Sequence, residues 1–149
     1  VQKNLASASA PAYTPTRLSS KIQAVGIVIP AHNQAGTIAK CISSIFAANS
    51  HSGWRNSLWI VVVADACTDD TAKAARDALG AFGQVLEVST HSGQAAHRLG
   101  AATVMEHFRD VPRHTLLLTT TDATADLPRD WIDTQLKCLQ SPIGLASSN

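Results

Sequence analysis

"LWIVVVADACTDDTAKAARDALG" runs from Leu58 to Gly80. It opens with seven apolar residues, Leu58 to Ala64, unbroken by any polar side chain. A half-exposed strand alternates, whereas a strand covered on both faces does not. The run therefore predicts a strand inside a parallel sheet. Asp65 follows at once. Thr68 or Asp69 can then cap a helix, and Gly80 can close it. The stretch reads as one β-α unit with a carboxylate at the end of its strand.

The same unit repeats on both sides. "AVGIVIP" (Ala24 to Pro30) is a β-branched run stopped by proline. It leads into "TIAKCISSIFAAN", where Ile38, Cys41, Ile42, Ile45 and Phe46 share one helical face. "VLEVS" (Val85 to Ser89) is a third strand with weak alternation, and "GQAAHRLGAATVMEHF" a third helix with Leu99, Ala102 and Met105 as its apolar face. "TLLLTTT" (Thr115 to Thr121) is a fourth strand, and Pro128 suits the first turn of a helix over "RDWIDTQLKCLQ". Apolar strands alternating with amphipathic helices predict a three-layer α/β/α domain with a mostly parallel sheet. In such sheets ligands bind beyond the carboxyl ends of the strands. That selects four loops: Pro30–Gly36, Asp65–Asp70, Thr90–Gly93 and Asp122–Pro128.

Composition agrees with one globular domain. The chain has 149 residues, 45% hydrophobic and 15% charged. Residues 1–20 are rich in Ala, Ser, Thr and Pro and predict a flexible arm, which leaves residues 21–149 for the domain. The net charge is +1 and no Lys/Arg stripe forms, which argues against nucleic acid as a partner. Three cysteines without framework spacing point to a reducing compartment. No signal peptide and no bilayer-length apolar run is visible, so a cytoplasmic location is expected and a membrane is not indicated. The first residue is Val rather than Met, which leads us to expect a processed chain or a piece of a longer one.

Motif searches exclude several chemistries. The first turn, "PAHNQAG", holds a single glycine, so no dinucleotide cradle of G-x-G-x-x-G type forms there. There is no P-loop, no G-x-S-x-G, no H-E-x-x-H and no paired C-x-x-C. What remains is a pair of acids at strand ends, Asp65 and Asp122. Each can accept hydrogen bonds from a nucleobase N–H or from ribose hydroxyls, or help hold a divalent cation. Each can equally bond nearby backbone N–H groups and only shape its turn. Asp69 reads as a helix cap. Cys67, at a loop tip, offers a rival reading as a nucleophile, while Cys41 and Cys138 read as packing residues. His51, His91, His107 and His114 lack ligand spacing and read as surface or loop side chains.

Three segments together, "VGIVIPAHNQAGTIAKCISSI", "IVVVADACTDDTA" and "LLLTTTDATADLPRDWI", resemble family 2 glycosyltransferases with the GT-A fold. The resemblance covers about residues 22–140, the nucleotide-binding half of that Rossmann-like transferase fold. It implies a nucleotide-diphosphate sugar as ligand and transfer of the sugar to a hydroxyl acceptor. It places Pro30, Ala31, His32 and Asn33 beside the nucleotide base. Asp65 matches an acid that accepts from a uracil-type N–H. Gly93 and His97 lie where the family has a G-x-x-x-[KR] pattern near the nucleotide. Asp122 matches the first acid of a D-x-D element that faces ribose or a metal ion. Trp131 matches an aromatic that packs.

Departures bear on activity. Gln34 stands where the family has Glu, and His97 where it has Arg or Lys. Thr124 stands at the second acid of D-x-D, the usual ligand of Mg²⁺ or Mn²⁺, and a hydroxyl brings no charge to such a site. Asp126 is the nearest substitute. The family's acceptor half, with its general base, would follow Asn149, so a truncated domain is expected and no catalytic residue is assigned. The alternative is a non-catalytic, degenerate module that binds a nucleotide or a partner chain. A homodimer or a partner chain is expected to cover the sheet beyond its fourth strand.

Overall fold

A computed structural model describes residues 22–52 and 57–140. The arm expected over residues 1–20 lies outside them, as do the last nine residues of the expected domain. The elements run β1 (Ala24–Ala31), α1 (Ile38–His51), β2 (Ser57–Asp65), α2 (Thr71–Leu79), β3 (Gly83–Val88), α3 (Gly93–His107), β4 (Leu116–Thr120) and α4 (Trp131–Gln140). Short 3₁₀ turns precede β3 and β4. All pairings are parallel, in the order β3-β2-β1-β4. This is the expected α/β architecture, of the GT-A-like Rossmann type. Among the described residues no helix is long and apolar enough to cross a membrane.

The two central strands explain the continuous apolar runs. Along β1, Val25, Ile27 and Ile29 enter the core shared with α1 and α2, while Ala24 and Val28 enter the core under α3. Along β2, Ile60 and Val62 face the first core, and Val61 and Val63 the second. Because side chains alternate across a sheet, a strand covered on both faces needs apolar residues at every position. Trp131, Leu136 and Leu139 of α4 pack against the first core, which gives Trp131 the packing role expected of it.

Helix α3 departs from expectation. Its inward face is Ala96, Gly100 and Val104, whereas Leu99 is 41% exposed. Ala102 also faces solvent and Met105 is half-buried. The reason is close approach. A Cβ on Gly100 would lie 2.3 Å from Val28 Cγ1, and one on Gly26 would lie 2.1 Å from Val104 Cγ1. The helix rests on the sheet through glycines, so its largest apolar side chain is left outside. Two smaller corrections stand beside it. β3 starts at Gly83, where a Cβ would meet the Ile60 carbonyl oxygen at 2.1 Å, so the edge strand enters the sheet two residues earlier than its apolar run. Cys138 of α4 is exposed and does not pack, unlike the buried Cys41.

The expected dimer finds no support among the described residues. Their exposed large hydrophobics are Phe82 and Leu99. Phe82 packs edge-on against Phe46 of α1, while Leu99 lies on α3 across the sheet, so they form no shared patch.

Gly26→Ala should destabilise the domain by about 1–3 kcal/mol in chemical denaturation, the usual cost of overpacking a stiff site. Val104→Ala in the same chain should recover part of that loss, because it removes the methyl groups that a new Cβ would strike. Additive losses would mean that the helix and strand do not meet there.

Candidate functional site

The chain order crosses from β3 at one edge to β4 on the far side of β1. This reversal makes the gap between β1 and β4 the switch point, where parallel sheets open a crevice. Pro30 marks the opening. The Thr121 N–H donates to the Val28 carbonyl at 3.2 Å, so Val28 turns its backbone polar groups toward β4. Pro30, two residues on, faces the same way, but the β1–β4 pairing ends opposite Val28. Its missing N–H therefore falls where no ladder bond would form.

A cleft of about 430 Å³ opens at these strand ends. Its walls include Pro30, Ala31 and His32 from β1 and its loop, Asp65 and Ala66 from the end of β2, His91 and Ser92 before α3 with Gly93 at its start, and Asp122 and Ala123 after β4. Neither Lys nor Arg is among its lining residues. Three non-glycine residues carry positive φ among the described residues: Asn33 (49°), Ala66 (52°) and His91 (53°). One lies in each of the first three strand-end loops. Such backbone persists only where the surroundings enforce it.

The enforcing contacts are specific. Asn33 Oδ1 accepts from the Thr68 N–H at 2.7 Å. The Gln34 N–H donates to Thr71 Oγ1 at 2.8 Å, and the Ala35 N–H to Asp69 Oδ2 at 3.1 Å. Asp69 also accepts from the Thr71 N–H at 3.0 Å; it stands one residue before the N-cap, Asp70, and ties the first loop to the start of α2 rather than being the cap residue expected. Cys67 Sγ accepts from the Asn33 N–H at 3.4 Å and lies 3.6 Å from the Ala31 carbonyl oxygen, a staple between loops.

Asp65 is the most heavily engaged side chain. Its carboxylate accepts from the Thr90 N–H at 2.6 Å, the His91 N–H at 3.1 Å, the Ser92 N–H at 3.2 Å and the Thr90 hydroxyl. A carboxylate has about four acceptor sites, and all are filled. The Thr90 hydroxyl, then the His91, Thr90 and Ser92 N–H groups, hold its carboxyl below the usual carboxylate range against the opposing effect of burial. The Asp65 carbonyl accepts from His32 Nδ1 at 2.8 Å. Asp65 thus lines the cleft, but its carboxylate serves the third loop and presents no free oxygen to a ligand.

Asp122 keeps more freedom. Its Oδ1 accepts from the Thr124 N–H at 2.8 Å and the Thr124 hydroxyl at 2.6 Å, which together lower its carboxyl below the usual range. Oδ2 has no hydrogen-bond partner among the described residues.

The profile described as glycosyl transferase family 2 matches residues 26–104, more than half of the chain, from β1 into α3. The chain belongs to glycosyl transferase family 2. A comparison with curated proteins finds no match. The span shared with glycosyl transferase family 2 contains the first three strand-end loops, and Asp122 lies beyond it.

Of the eight nucleotide-site residues expected from the sequence, the cleft gathers six: Pro30, Ala31, His32, Asp65, Gly93 and Asp122. Asn33 braces the loop instead, and His97, half-buried on α3, is not among the residues that line the cleft. Sequence reading missed His91, taken as a loop side chain, although it stands in one of the four selected loops. Among the described residues the donor set does not fit a divalent ion held without a ligand's help. No group of three His, Cys, Asp or Glu side chains converges among the described residues. The Thr124 hydroxyl is spent on Asp122, and Asp126 pairs with Lys40 at 3.0 Å rather than turning to the cleft.

Asp65 predicts a pH signature. Its folded carboxyl sits below its unfolded value of about 3.9, so its contribution is complete above that pH and is lost as pH falls through the folded value. Hydrogen exchange at the Thr90, His91 and Ser92 amides should accelerate relative to the sheet as pH drops below about 4. In Asp65→Asn the same amides should exchange fast at neutral pH.

Proposed function

We propose that the cleft binds a nucleotide-diphosphate sugar and that the protein transfers the sugar to a hydroxyl acceptor. The observation that carries this reading is the convergence of three family-matched loops with Asp122 at the switch point of the sheet. The family match favours a transferase over a purely degenerate module.

Chemistry on the page sets what the chain contributes. Transfer breaks the bond between the sugar and the diphosphate and forms one to the acceptor oxygen, whose proton must leave. Negative charge grows on the departing diphosphate. The start of α3, at Ser92 and Gly93, borders the cleft; Asp65 takes the Ser92 N–H and Ser92 Oγ the Ala95 N–H, which leaves the N–H groups of Gly93 and Gln94 without a partner among the described residues. These groups and the helix dipole suit an anion. The free Oδ2 of Asp122 suits a ribose hydroxyl. No base for the acceptor proton is assigned.

Calorimetric titration with UDP and GDP should detect binding of at least one, and Asp122→Ala should weaken it about ten-fold, the size of one charge-assisted hydrogen bond. Unchanged affinity would remove Asp122 from the site. We further propose that metal adds little to nucleotide binding in the natural sequence. Thr124→Asp should then gain Mn²⁺-dependent nucleotide affinity, because it puts a second carboxylate beside Asp122. Micromolar Mn²⁺ binding without that change would show that another group completes the ligand set.

A further inference from the structure

Asp65 fixes more than a loop. Its carbonyl oxygen can only accept, so the 2.8 Å contact with His32 Nδ1 places a proton on that nitrogen. A neutral imidazole has one N–H, and Nε2 is left with a bare lone pair. The neighbouring amide agrees. Asn33 Oδ1 is committed to the Thr68 N–H, which turns Asn33 Nδ2, a donor, toward His32 Nε2 at 3.5 Å. That distance is too long to consume the lone pair.

At the β2 end of the cleft a ligand N–H therefore finds an acceptor in His32 Nε2. The Asp65 carboxylate is filled by the third loop, whereas His32 Nε2 meets only the long 3.5 Å approach of Asn33 Nδ2. A bare lone pair repels phosphate oxygens, and Ala31 and Ala66 beside it offer apolar contact to a flat ring. Asp122 waits on the far side of β1. Two strand spacings, about 10 Å, separate β2 from β4. A nucleoside bridges such a span, with its base at one end and its ribose hydroxyls at the other.

Resting on the reading of this cleft as a nucleotide site, we propose that His32 Nε2, oriented by the Asp65 carbonyl, is the acceptor for a ring N–H of the base. The cleft then takes uracil, thymine or guanine, which carry that N–H. It rejects cytosine and adenine, whose ring nitrogen at the same place is itself an acceptor. Facing two lone pairs leaves both unpaired, and that mismatch is the source of discrimination.

Four nucleoside diphosphates test this by calorimetry, paired as UDP with CDP and GDP with ADP. In the pair that binds, the N–H member should be favoured about ten-fold, the size of one hydrogen bond. His32→Phe keeps a ring and removes the lone pair. It should weaken the N–H member and bring the pair to within about two-fold of each other. A general folding defect would weaken both members alike and leave their ratio intact, so the ratio reports recognition. The 3-methyl derivative of UDP lacks the N–H and needs no variant; it should lose affinity relative to UDP as CDP does. Binding without preference in either pair, or a preference that survives His32→Phe, would overturn the inference and leave the nucleotide site standing. Binding of none of the four would overturn both.

Discussion

Asp65 is the point on which the site depends. Its carboxylate gathers three successive N–H groups and a hydroxyl from residues 90–92, and its carbonyl holds His32. One residue at the end of one strand thereby sets the positions of two loops contributed by other strands. The arrangement is possible because β2 is central and parallel, with β1 and β3 ending beside it at the same level. Ala31 stands opposite Ala64, and Val88 opposite Asp65. An antiparallel neighbour would have sent its loop to the other end of the sheet.

The sheet in turn depends on close packing beneath it. Gly26 and Gly100 let α3 settle against β1 and β2, with Val28, Val63 and Val104 closing the gap. That contact fixes where α3 begins, and its beginning is a wall of the cleft. Ser92 caps it, with Oγ accepting from the Ala95 N–H at 3.2 Å, while the Ser92 N–H is held by Asp65. Helix position, cap and cleft are thus one mechanical unit. A bulge anywhere between Gly100 and Ser92 would be felt at the cleft.

Much of this was legible in the sequence, and the failures have physical causes. β1 and β2 were readable because burial on both faces demands unbroken apolar runs. The four ligand-side loops followed from the parallel order alone. The face of α3 was misread because hydrophobicity scales reward Leu99 and Met105, whereas the packing selected glycine for its lack of volume. His91 escaped because its importance comes from a left-handed backbone imposed by Asp65, a contact between residues 26 positions apart. Asp65 and Asp122 each had two readings. Asp65 resolved to the structural one for its carboxylate, and Asp122 kept an oxygen free. No pattern in the sequence distinguishes these, because the difference lies in which amides the fold delivers to each side chain.

Thr124 gains a meaning from this contrast. A second acid beside Asp122 would put two carboxylates near an anionic ligand, and at about 4 Å like charges repel by about 1–4 kcal/mol, depending on solvent screening. Such a pair calls for a cation to neutralise it. Thr124 replaces the second charge with a donor, which satisfies one oxygen of Asp122 and holds the acid ionised. The loop then presents one negative charge instead of two. The cleft has no Lys or Arg to offset more, and its favourable field for an anion comes from the start of α3. With a smaller opposing charge, that helix end has less to overcome. On the proposed reading, one carboxylate instead of two lowers the repulsion that a departing diphosphate meets here, so Thr124 does not by itself mark the site as broken.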